Sequence, residues 1–359
     1  MTQREQEILE LIRRDPMISQ QDIADALGIT RSSVAVHISN LIRKGMIAGK
    51  GYVLRSDSYA VVVGGVNVDI GGKSFAPLVA ADSNPGTVSI SLGGVGRNIA
   101  HNMRLLGLDV RFLTAFGNDL NGQRVAASCT ELGIDIRNAL RLEGASTSTY
   151  LYLTDEKGEM ALAVSDMAIC DRITPEYLAA NLSLLQGARV VVADTNIPAE
   201  SLVYLVENCT APLFIDPVST AKAEKLRPIL SGIHTLKPNA LEASLLSGIP
   251  LDAPNAVERA AEVLLEKGVQ RLFISMGANG VYAAEAAQRI HLPNLPGNMV
   301  NTTGCGDAFT AALVWAHMEG ADLHSAALSG LAAGSIAMEA PGTINPALSA
   351  EALKNRANI

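Results

Sequence analysis

The stretch NTTGCGDAF, residues 301–309, decides how most of this chain is interpreted. Three small residues, Gly304, Cys305 and Gly306, form a bare turn. The acid Asp307 follows this turn, and the apolar run AFTAALVWA, which begins directly after Asp307, is typical of a helix. Backbone N–H groups in such a turn converge on one point, and the helix dipole adds partial positive charge. The pattern predicts an anion site beside a carboxylate that can accept a proton from an attacking hydroxyl group. A plain tight turn before an ordinary helix fits the same residues.

Composition limits the classes of protein to which the chain can belong. The 359 residues are 48% apolar and carry a formal net charge of −8, which allows one large folded domain and a smaller one. No apolar run approaches the ~18 residues of a membrane span, and the N-terminus lacks the apolar segment of a secretory signal. The four cysteines form no CxxC pair, which argues against a zinc site or a disulfide framework. We therefore expect a cytoplasmic protein.

Apolar runs alternate with amphipathic segments from residue 59 onward. This alternation predicts a parallel sheet with helices on both faces, which is a three-layer α/β/α sandwich. The strand-like runs are 59–65, 110–117, 188–194, 211–217, 233–238 and 271–277, and the clearest helical segments are 96–107 and 255–268.

Two stretches, residues 68–94 and 147–166, interrupt this alternation. Both have the pattern of antiparallel ribbons, and the second turns at DEKGE between two alternating strands. Because no helices accompany the ribbons, we expect them to project from the main sheet as a lid on a domain of residues 58–359.

Residues 1–57 have a different character and predict a separate small domain. Apolar residues at helical spacing mark a first helix over 4–14, Ser19 is placed to cap a second, and Thr30 is placed to cap a third. A short hairpin with glycines at its tip follows over 46–55. Three helices and a hairpin in this order resemble a winged helix-turn-helix.

The third helix and the hairpin carry the candidate DNA contacts. No acidic residue lies between Arg31 and Arg55. In the DNA-binding interpretation, the residues that face the major groove or approach phosphate are Arg31, Ser32, Ser33, His37 and Lys50. A small helical domain used for docking or dimerisation fits the same pattern. Residues 1–57 contain eight basic and seven acidic residues, so DNA affinity would depend on two copies binding together.

Several motifs of the larger domain occur in the order found in one enzyme family. They are GGVNVD (64–69), GGVGRNIA (93–100), KPNALEA (237–243), ISMGANG (274–280) and NTTGCGDAF (301–309). Together, over residues 59–345, they resemble the ribokinase-like, or pfkB, carbohydrate kinases. The resemblance implies a ribokinase-like α/β sandwich with a β-ribbon lid, a sugar or nucleoside acceptor, ATP as the donor and Mg²⁺ as the cofactor.

The resemblance also implies a role for individual residues. Asp307 would be the catalytic base, and the N–H groups of Gly304, Cys305 and Gly306 would stabilise the transferring phosphoryl group. The residues on the acceptor side would be Asn67, Asp69, Gly93, Gly94, Asn98 and Asp166, with the two glycines allowing the sugar to approach the backbone. Asn98 as a helix-capping residue is the alternative.

The nucleotide side follows from the same resemblance. Asn239 and Glu242 would organise Mg²⁺ and its water shell, because Mg²⁺ keeps several waters and needs few direct protein ligands. The ribose and adenine would lie against Ser275, Gly277, Gly280 and Asn345. Asn301 stands where many members have an aspartate that helps to hold a monovalent cation, so the resemblance leaves a potassium requirement open. Cys305 replaces a common alanine.

Five further stretches, residues 83–102, 146–169, 173–178, 194–198 and 216–226, resemble the pseudouridine kinase branch of the family. They imply the 5′-hydroxyl group of pseudouridine as the acceptor, with Tyr150, Tyr152 or Met167 near the base. Lys222 is placed either near the phosphates or in solvent. Another acceptor (ribose, fructose or a purine nucleoside) and a transcription regulator that uses the kinase fold as a ligand sensor remain alternatives. Lids of relatives often pair between subunits, which implies a homodimer.

Overall fold

The computed structural model describes residues 2–359 except 16, 45 and 48–57. Contacts within the chain divide it into two units, residues 1–59 and 60–359. Most of the predicted hairpin over 46–55, including Lys50, lies outside the described residues. None of the described helices is long and apolar enough to cross a membrane.

The predicted helices of the first unit are confirmed. They are α1 Gln3–Arg14, α2 Gln20–Leu27 and α3 Arg31–Arg43. The side chains of Ser19 and Thr30 cap α2 and α3 by accepting main-chain N–H groups, and Gly28 ends α2 in the left-handed conformation. The apolar faces of the three helices form one core, which contains Ile8, Leu9, Ile12, Ile23, Ala24, Val34, Ile38, Leu41 and Ile47.

An ion pair between the exposed Lys44 and the buried Glu5 fastens α1 to the end of α3. The Nζ atom of Lys44 lies 2.8 Å from both carboxylate oxygens of Glu5. This hydrogen bond and one from the main chain of Thr2 lower the pKa of Glu5 from 4.5 to about 2. The stabilisation is therefore present above the ordinary pKa and is lost as the pH falls toward 2.

The second unit is built from strands and helices in alternation. Its strands are β1 Tyr59–Val63, β2 Asn67–Ser74, β3 Gly86–Gly93, β4 Asp109–Leu113, β5 Ala115–Gly117, β6 Leu140–Leu142, β7 Thr149–Thr154, β8 Met160–Asp166, β9 Val190–Asp194, β10 Leu213–Asp216, β11 Thr235–Leu236, β12 Arg271–Ser275, β13 Val281–Glu285 and β14 Gln288–Leu292. Its α-helices are α4 Val95–Leu105, α5 Leu120–Glu131, α6 Pro175–Ala180, α7 Leu182–Gln186, α8 Ala199–Asn208, α9 Thr220–Ala223, α10 Ala240–Ser247, α11 Ala256–Glu266, α12 Cys305–Met318, α13 Leu323–Ala337 and α14 Ala350–Ala357. Short 3₁₀ helices lie at Ala168–Arg172, Glu224–Gly232 and Gly277–Asn279.

An eight-stranded sheet has the order β14-β13-β12-β11-β10-β9-β1-β4. The pairs β1–β9, β9–β10, β10–β11 and β11–β12 are parallel, as predicted. The prediction of a wholly parallel sheet is wrong at the β14 edge, where β12–β13 and β13–β14 are antiparallel. Their connections are too short for a crossover helix, so the chain can only turn back on itself. The run 110–117 also divides into β4 and β5, and β5 pairs with β6 in a separate small sheet.

Helices cover the eight-stranded sheet because its strands are apolar on both faces. Ala60, Val62, Val190 and Val192 pack in one core with residues of α4, α12, α13 and α14. Their neighbours Val61, Val63 and Val191 are equally buried and point to the opposite face, since side chains alternate along a strand. This sandwich confirms the expected fold class.

The two predicted ribbons pair with each other in one four-stranded sheet, β3-β2-β7-β8, called the small sheet below. The ribbons β2–β3 and β7–β8 are antiparallel, and β2 joins β7 in parallel. The register places Asp69, Tyr150 and Ser165 in one row and therefore on one face. The other face carries exposed apolar side chains and is called the apolar face, formed by Val88, Ile90, Leu151, Leu153, Leu162 and Val164.

Candidate active site

Several polar side chains collect where the parallel strands of the large sheet end. Asp194 is the last residue of β9, Asp216 is the last residue of β10, and Lys237 follows β11. All three side chains are buried. In open α/β sheets the crevice outside the carboxyl ends of the strands is the usual ligand site.

Asp194 holds two turns at this edge. Its Oδ2 atom accepts hydrogen bonds from the main-chain N–H groups of Gly65 at 2.9 Å and Gly96 at 2.7 Å. A β-carbon added at Gly64 would lie 2.5 Å from the same carboxylate. Asp194 thereby joins the ends of β1 and β9 to the start of α4. The sequence interpretation gave Asp194 no role, although it stands in one of the stretches that carry the resemblance.

The N-terminus of α12 is open. Its N-cap is Gly304, with φ 85°, and no described side chain accepts a hydrogen bond at this cap. A β-carbon at Gly304 would lie 2.1 Å from the carbonyl oxygen of Thr343, so the close approach of these two loops requires glycine. The N–H groups of Gly306 and Asp307 in the first helical turn are therefore available to an anion, while that of Cys305 donates to the carbonyl oxygen of Thr302 at 3.3 Å.

Asp307 lies in the first turn of α12, beside this opening. Its Oδ2 atom accepts a hydrogen bond of 2.9 Å from Nδ2 of Asn98 in α4. The surrounding protein and then the charge of Asp216 raise the pKa of Asp307 to about 7, against the opposing effects of Asn98 and Lys237. A carboxyl group with this pKa can exchange a proton near neutral pH. The Oδ1 atom of Asn98 is buried and has no hydrogen-bond partner among the described residues, so the site offers an unused acceptor next to Asp307.

Lys237 brings a positive charge to the same place. Its Nζ atom lies 3.1 Å from Oδ2 of Asp216 and 3.4 Å from the carbonyl oxygen of Gly306. Burial alone would lower the pKa of Lys237, but the charges of Asp216 and Asp307 outweigh it and raise the pKa. Thr310 of α12 donates a 3.0 Å hydrogen bond to Asp216. The sequence interpretation missed Lys237 and Asp216 as site residues, since their pairing joins positions 21 residues apart.

A cavity of about 370 Å³ opens on one side of these residues. Ser275, Gly277 and Gly280 line it, together with Cys305 and Gly306 from the start of α12. Further lining residues that sequence reasoning did not find are Lys237, Asn294, Met299 and Met338.

Asn345 is placed differently from the prediction. Its side chain donates a 2.6 Å hydrogen bond to the carbonyl oxygen of Ile336 and accepts one from the N–H group of Ala347. The residue is buried and is not among those that line the cavity. Asn345 therefore fastens the loop before α14 to the end of α13.

Asn239 and Glu242 form a closed cap at the start of α10. The Asn239 side chain accepts the N–H group of Glu242 at 2.9 Å, and the Glu242 carboxylate accepts the N–H group of Asn239 at the same distance. Burial raises the pKa of Glu242. The described residues contain no group of three or more His, Cys, Asp or Glu side chains that could hold a metal ion. This donor set fits Mg²⁺ only as an ion held by its waters and by phosphate, with few direct protein ligands.

Asn67 and Asp69, predicted for the acceptor side, lie together. Nδ2 of Asn67 donates a 2.6 Å hydrogen bond to Asp69, and burial raises the pKa of Asp69. The glycines at 93 and 94 are required by contacts within the protein itself. A β-carbon at Gly93 would lie 2.2 Å from the Asp69 carboxylate, and one at Gly94 would lie 2.6 Å from Cα of Val66. Glycine at these two positions therefore leaves room for the Asp69 side chain and for the backbone of Val66.

Asp166 is not brought together with Asp69. The register places Asp166 opposite Thr149 and Val68, one position out of step with the row of Asp69, and therefore on the other face of the small sheet. It is exposed and lines a separate cavity of about 300 Å³ with Arg172. The prediction missed this because one residue of register reverses the direction of a side chain.

Tyr150 and Tyr152 do share the face of Asp69, and their ring centroids are 5.8 Å apart. Tyr152 lies across Gly71, where a β-carbon would meet its hydroxyl oxygen at 2.5 Å. The Nζ atom of Lys222 donates a 2.5 Å hydrogen bond to Oδ1 of Asn196, so this lysine is fixed beside the end of β9.

In the first unit, the candidate DNA-binding residues divide into two groups. Arg31 and Ser32 are exposed. Ser33 is partly buried and its N–H group caps onto Thr30, and the Nδ1 atom of His37 is buried with no partner among the described residues. The face of α3 opposite the core contains Ser32, Val36, Ser39 and Arg43, and Val36 is 60% exposed. Sequence reasoning missed Val36 and Ser39, although the helical period from the apolar positions would have indicated them.

The chain matches two family models and several known proteins. A model of pfkB family carbohydrate kinases matches residues 57–350, and a model of winged helix-turn-helix DNA-binding domains matches residues 1–48. The chain is 39% identical over 353 residues, 98% of each protein, to the uncharacterized sugar kinase YeiI of Escherichia coli K12. It is 40% identical over 298 residues to the pseudouridine kinase of Escherichia coli K12, which is 82% of this chain and 95% of that one. A solved carbohydrate kinase from Agrobacterium tumefaciens matches with a TM-score of 0.74 and 26% identity, over 84% of this chain and 97% of that chain.

The chain therefore belongs to the pfkB family of carbohydrate kinases and is a kinase. The expected family resemblance is confirmed for the large unit, and the winged helix-turn-helix resemblance is confirmed for the N-terminal one.

Proposed function

We propose that this kinase transfers the γ-phosphoryl group of ATP to the 5′-hydroxyl group of pseudouridine. The observation that carries the proposal is the position of Asp307, a carboxyl group with a pKa of about 7 beside an uncapped helix N-terminus and an open cavity. The identity of 40% to a pseudouridine kinase over 95% of that protein supports the choice of acceptor. The similar identity to an uncharacterized sugar kinase keeps another sugar or nucleoside as the alternative.

The proposed chemistry uses Asp307 as the base. The acceptor hydroxyl group gives its proton to the Asp307 carboxylate, which Asn98 holds in place by a hydrogen bond of 2.9 Å. The free Oδ1 atom of Asn98 accepts a second hydroxyl group of the acceptor. The N–H group of Gly306 donates to the phosphoryl oxygens as negative charge develops on them, which is where preorganised donors accelerate a reaction most. The N–H group of Cys305 joins it by exchanging its 3.3 Å bond to the carbonyl oxygen of Thr302 for one to the phosphoryl group.

The cavity lined by Ser275, Gly277 and Gly280 is the proposed site for the nucleoside part of ATP. Bound with the nucleotide, Mg²⁺ would neutralise part of the phosphate charge. Asn239 and Glu242 would act on the water shell of the ion, since their side chains already bond to each other's main chain.

On the acceptor side, Asn67 and Asp69 are proposed to bind hydroxyl groups of the ribose. Tyr150 and Tyr152, on the same face of the small sheet as Asp69, are placed to cover the base. Movement of the small sheet over the acceptor would exclude water, which otherwise competes for the phosphoryl group.

The contacts of Asn301 support an enzyme that does not require potassium. Its Nδ2 atom donates a 3.0 Å hydrogen bond to the carbonyl oxygen of Pro341, and its Oδ1 atom accepts the N–H group of Thr303. The Asn301 amide group thus links two loops through its own donor and acceptor atoms. We expect equal rates in potassium and in a large organic cation, and potassium activation of a few-fold in Asn301→Asp. Potassium dependence of the wild-type rate would contradict this.

The apolar face of the small sheet supports a homodimer. Six large apolar side chains are exposed together there, and exposed clusters of this kind mark interaction surfaces. Sedimentation should show a dimer for the wild-type chain and a monomer for Leu151→Asp. The matched control is Leu251→Asp, an exposed leucine outside the small sheet. A monomeric wild-type chain would rule the dimer out.

A second function, binding of duplex DNA through the first unit, is favoured by the exposed face of α3 and by the family match over residues 1–48. The match to the sugar kinase YeiI over 98% of both chains includes this unit. Selection from a random duplex pool with the full chain should enrich one sequence, and Arg31→Ala should weaken its binding. The absence of any enriched sequence would contradict the DNA-binding proposal and leave the kinase proposal intact.

A panel of acceptors tests the kinase proposal. Pseudouridine, uridine, inosine, ribose and fructose are offered with ATP and Mg²⁺, and ADP release is followed. We expect the highest kcat/KM with pseudouridine. Efficient turnover of another acceptor would replace pseudouridine and retain the kinase. Turnover of no acceptor would favour the ligand-sensing regulator.

A further inference from the structure

The ion pair between Asp216 and Lys237 is more elaborate than the stability of the fold requires. Oδ2 of Asp216 accepts from both Nζ of Lys237 at 3.1 Å and the hydroxyl group of Thr310 at 3.0 Å. Oδ1 accepts the N–H group of Val218 at 2.9 Å. All of these side-chain contacts are buried, and a buried ion pair seldom stabilises a fold more than apolar residues of the same shape.

Backbone strain is stored at this pair. Val218 has φ 63°, a left-handed conformation that a β-branched residue rarely adopts. In this conformation the N–H group of Val218 donates its hydrogen bond to Oδ1 of Asp216. Strain of this kind persists only where the surrounding structure holds it, and it collects at functional sites.

The ammonium group of Lys237 points toward the open N-terminus of α12. It lies 3.4 Å from the carbonyl oxygen of Gly306 and lines the cavity. A β-carbon at Gly306 would lie 2.9 Å from Nζ of Lys237. Apart from the adjacent residues and the backbone of α12, no other described atom is within 4 Å of that position. Because Gly306 has no side chain, the turn leaves room for the Lys237 ammonium group. Thr310, which fixes the partner Asp216, stands three residues after Asp307 on the same helix.

We propose that Asp216 is a positioning residue for phosphoryl transfer: it holds the Lys237 ammonium group at the open N-terminus of α12, where the ammonium group binds the phosphoryl oxygens during transfer. The inference rests on the proposed role of Asp307 but not on the identity of the acceptor. Without Asp216, the buried Lys237 would lose its ion-pair partner, and such a group loses its proton or moves toward water.

The transfer step balances with these groups alone. The acceptor oxygen forms a bond to the γ-phosphorus atom, and the bond from that phosphorus to the β–γ bridging oxygen breaks. ADP leaves with the electron pair of the broken bond, and the acceptor proton passes to Asp307. Lys237 takes no proton in this step and acts through its charge, as does a lysine or arginine clamp on a transferring phosphoryl group.

A double-mutant cycle tests the inference. Asp216→Asn and Lys237→Met are each expected to lower kcat ~100-fold, the effect of losing one stabilising group of this kind. Because Asp216 acts through Lys237, the double variant should be no slower than Lys237→Met alone. Lys267→Met is the matched control, since Lys267 is exposed and its Nζ donates only to a main-chain oxygen, that of Leu246. Its kcat should not change.

The pH dependence of kcat gives a second readout that a structural role would not move. The charge of Asp216 raises the pKa of Asp307 and that of Lys237 lowers it. Lys237→Met should therefore shift the acid limb to higher pH. Asp216→Asn removes the charge of Asp216 and, by the inference, also the nearby charge of Lys237, so adding Lys237→Met to Asp216→Asn should not move the acid limb further. Effects that multiply in the double variant, or an acid limb that Lys237→Met still moves in the Asp216→Asn background, would overturn the inference and leave the proposed function standing. If the wild-type chain turns over no acceptor of the panel, the proposed function fails first.

Discussion

The N-termini of α10 and α12 differ in how their main-chain N–H groups are satisfied. At α10 the side chains of Asn239 and Glu242 satisfy each other's main-chain N–H groups. At α12 the cap is Gly304, and no described side chain occupies the equivalent place. The two caps differ in backbone as well as in side chain, since Asn239 is extended with φ −83° and Gly304 is left-handed with φ 85°. The closed end stabilises the fold, and the open end is available to a ligand.

The largest effect should come from the acid at the open end. Asp307→Asn keeps the size and the hydrogen bond to Asn98 but removes the base, so kcat should fall ~1,000-fold, within the range attributed to positioned acid–base groups. Because the fold raises the pKa of Asp307 from 3.8 to about 7, the carboxylate costs stability at alkaline pH. The variant should therefore melt at a higher temperature than the wild type at pH 8.

The control for this prediction is Asp322→Asn, which changes an acid that caps α13. Asparagine caps a helix nearly as well as aspartate, so neither kcat nor the melting temperature should change appreciably. A kcat for Asp307→Asn within tenfold of the wild type would mean that another group takes the proton.

The next effect concerns Gly306, which has no side chain, in the first turn of α12. Gly306→Ala should raise helix propensity by up to about 1 kcal/mol, yet its β-carbon would press on the Lys237 ammonium group. We expect a chain at least as stable as the wild type whose kcat is ~10- to 100-fold lower, because a preorganised charge is displaced. Gly342→Ala, whose β-carbon meets nothing closer than 3.9 Å, is the control. Unchanged kcat in Gly306→Ala would show that the space around Lys237 is not needed.

The pH dependence of the wild-type enzyme follows from the same acid. Only the ionised carboxylate accepts a proton, so kcat should fall tenfold for each unit of pH below about 7, the pKa of Asp307. The decrease runs in the acid direction because protonation removes the base. Initial rates between pH 5 and 9 with saturating substrates measure it. A rate that stays level down to pH 5 would show that Asp307 titrates far lower or does not act.

The smallest effect is expected at the closed end. Glu242→Gln retains an oxygen that can accept the N–H group of Asn239, so the cap survives and stability should change little. The lost charge should raise the Mg²⁺ concentration required for half-maximal rate ~10-fold, as for an outer-shell group. Asn239→Ala removes the cap itself and should cost ~1 kcal/mol of stability. An unchanged Mg²⁺ requirement in Glu242→Gln would assign this residue to capping alone.

Local patterns in the sequence predicted the parts of the molecule that depend on neighbouring residues. The caps at Ser19 and Thr30 and the turn before Asp307 are of this kind, because a helix end is determined within about four residues. Partners far apart in sequence were not predictable. Lys237 with Asp216, and Asp194 with Gly65 and Gly96, meet only because parallel strands end at one edge.

The register of the strands and the direction of the strands at the sheet edge were also not predictable from local patterns. The strand pattern around Asp166 predicts a ribbon but does not say which face each residue takes. The alternation of strands and helices likewise does not reveal that β13 and β14 turn back along the sheet edge. Glycine is required at position 93 because of the Asp69 carboxylate on the adjacent strand. Asp69 pairs with Ser91, two residues before Gly93, and no local pattern contains that contact.

The structure of the enzyme with an unreactive ATP analogue, Mg²⁺ and the acceptor would test the central claim most directly. The account predicts that the acceptor hydroxyl oxygen lies within about 2.6–3.2 Å of the Asp307 carboxylate. It also predicts that the γ-phosphate oxygens accept hydrogen bonds from the N–H groups in the first turn of α12. A γ-phosphate bound elsewhere, or an acceptor hydroxyl group out of reach of Asp307, would contradict it.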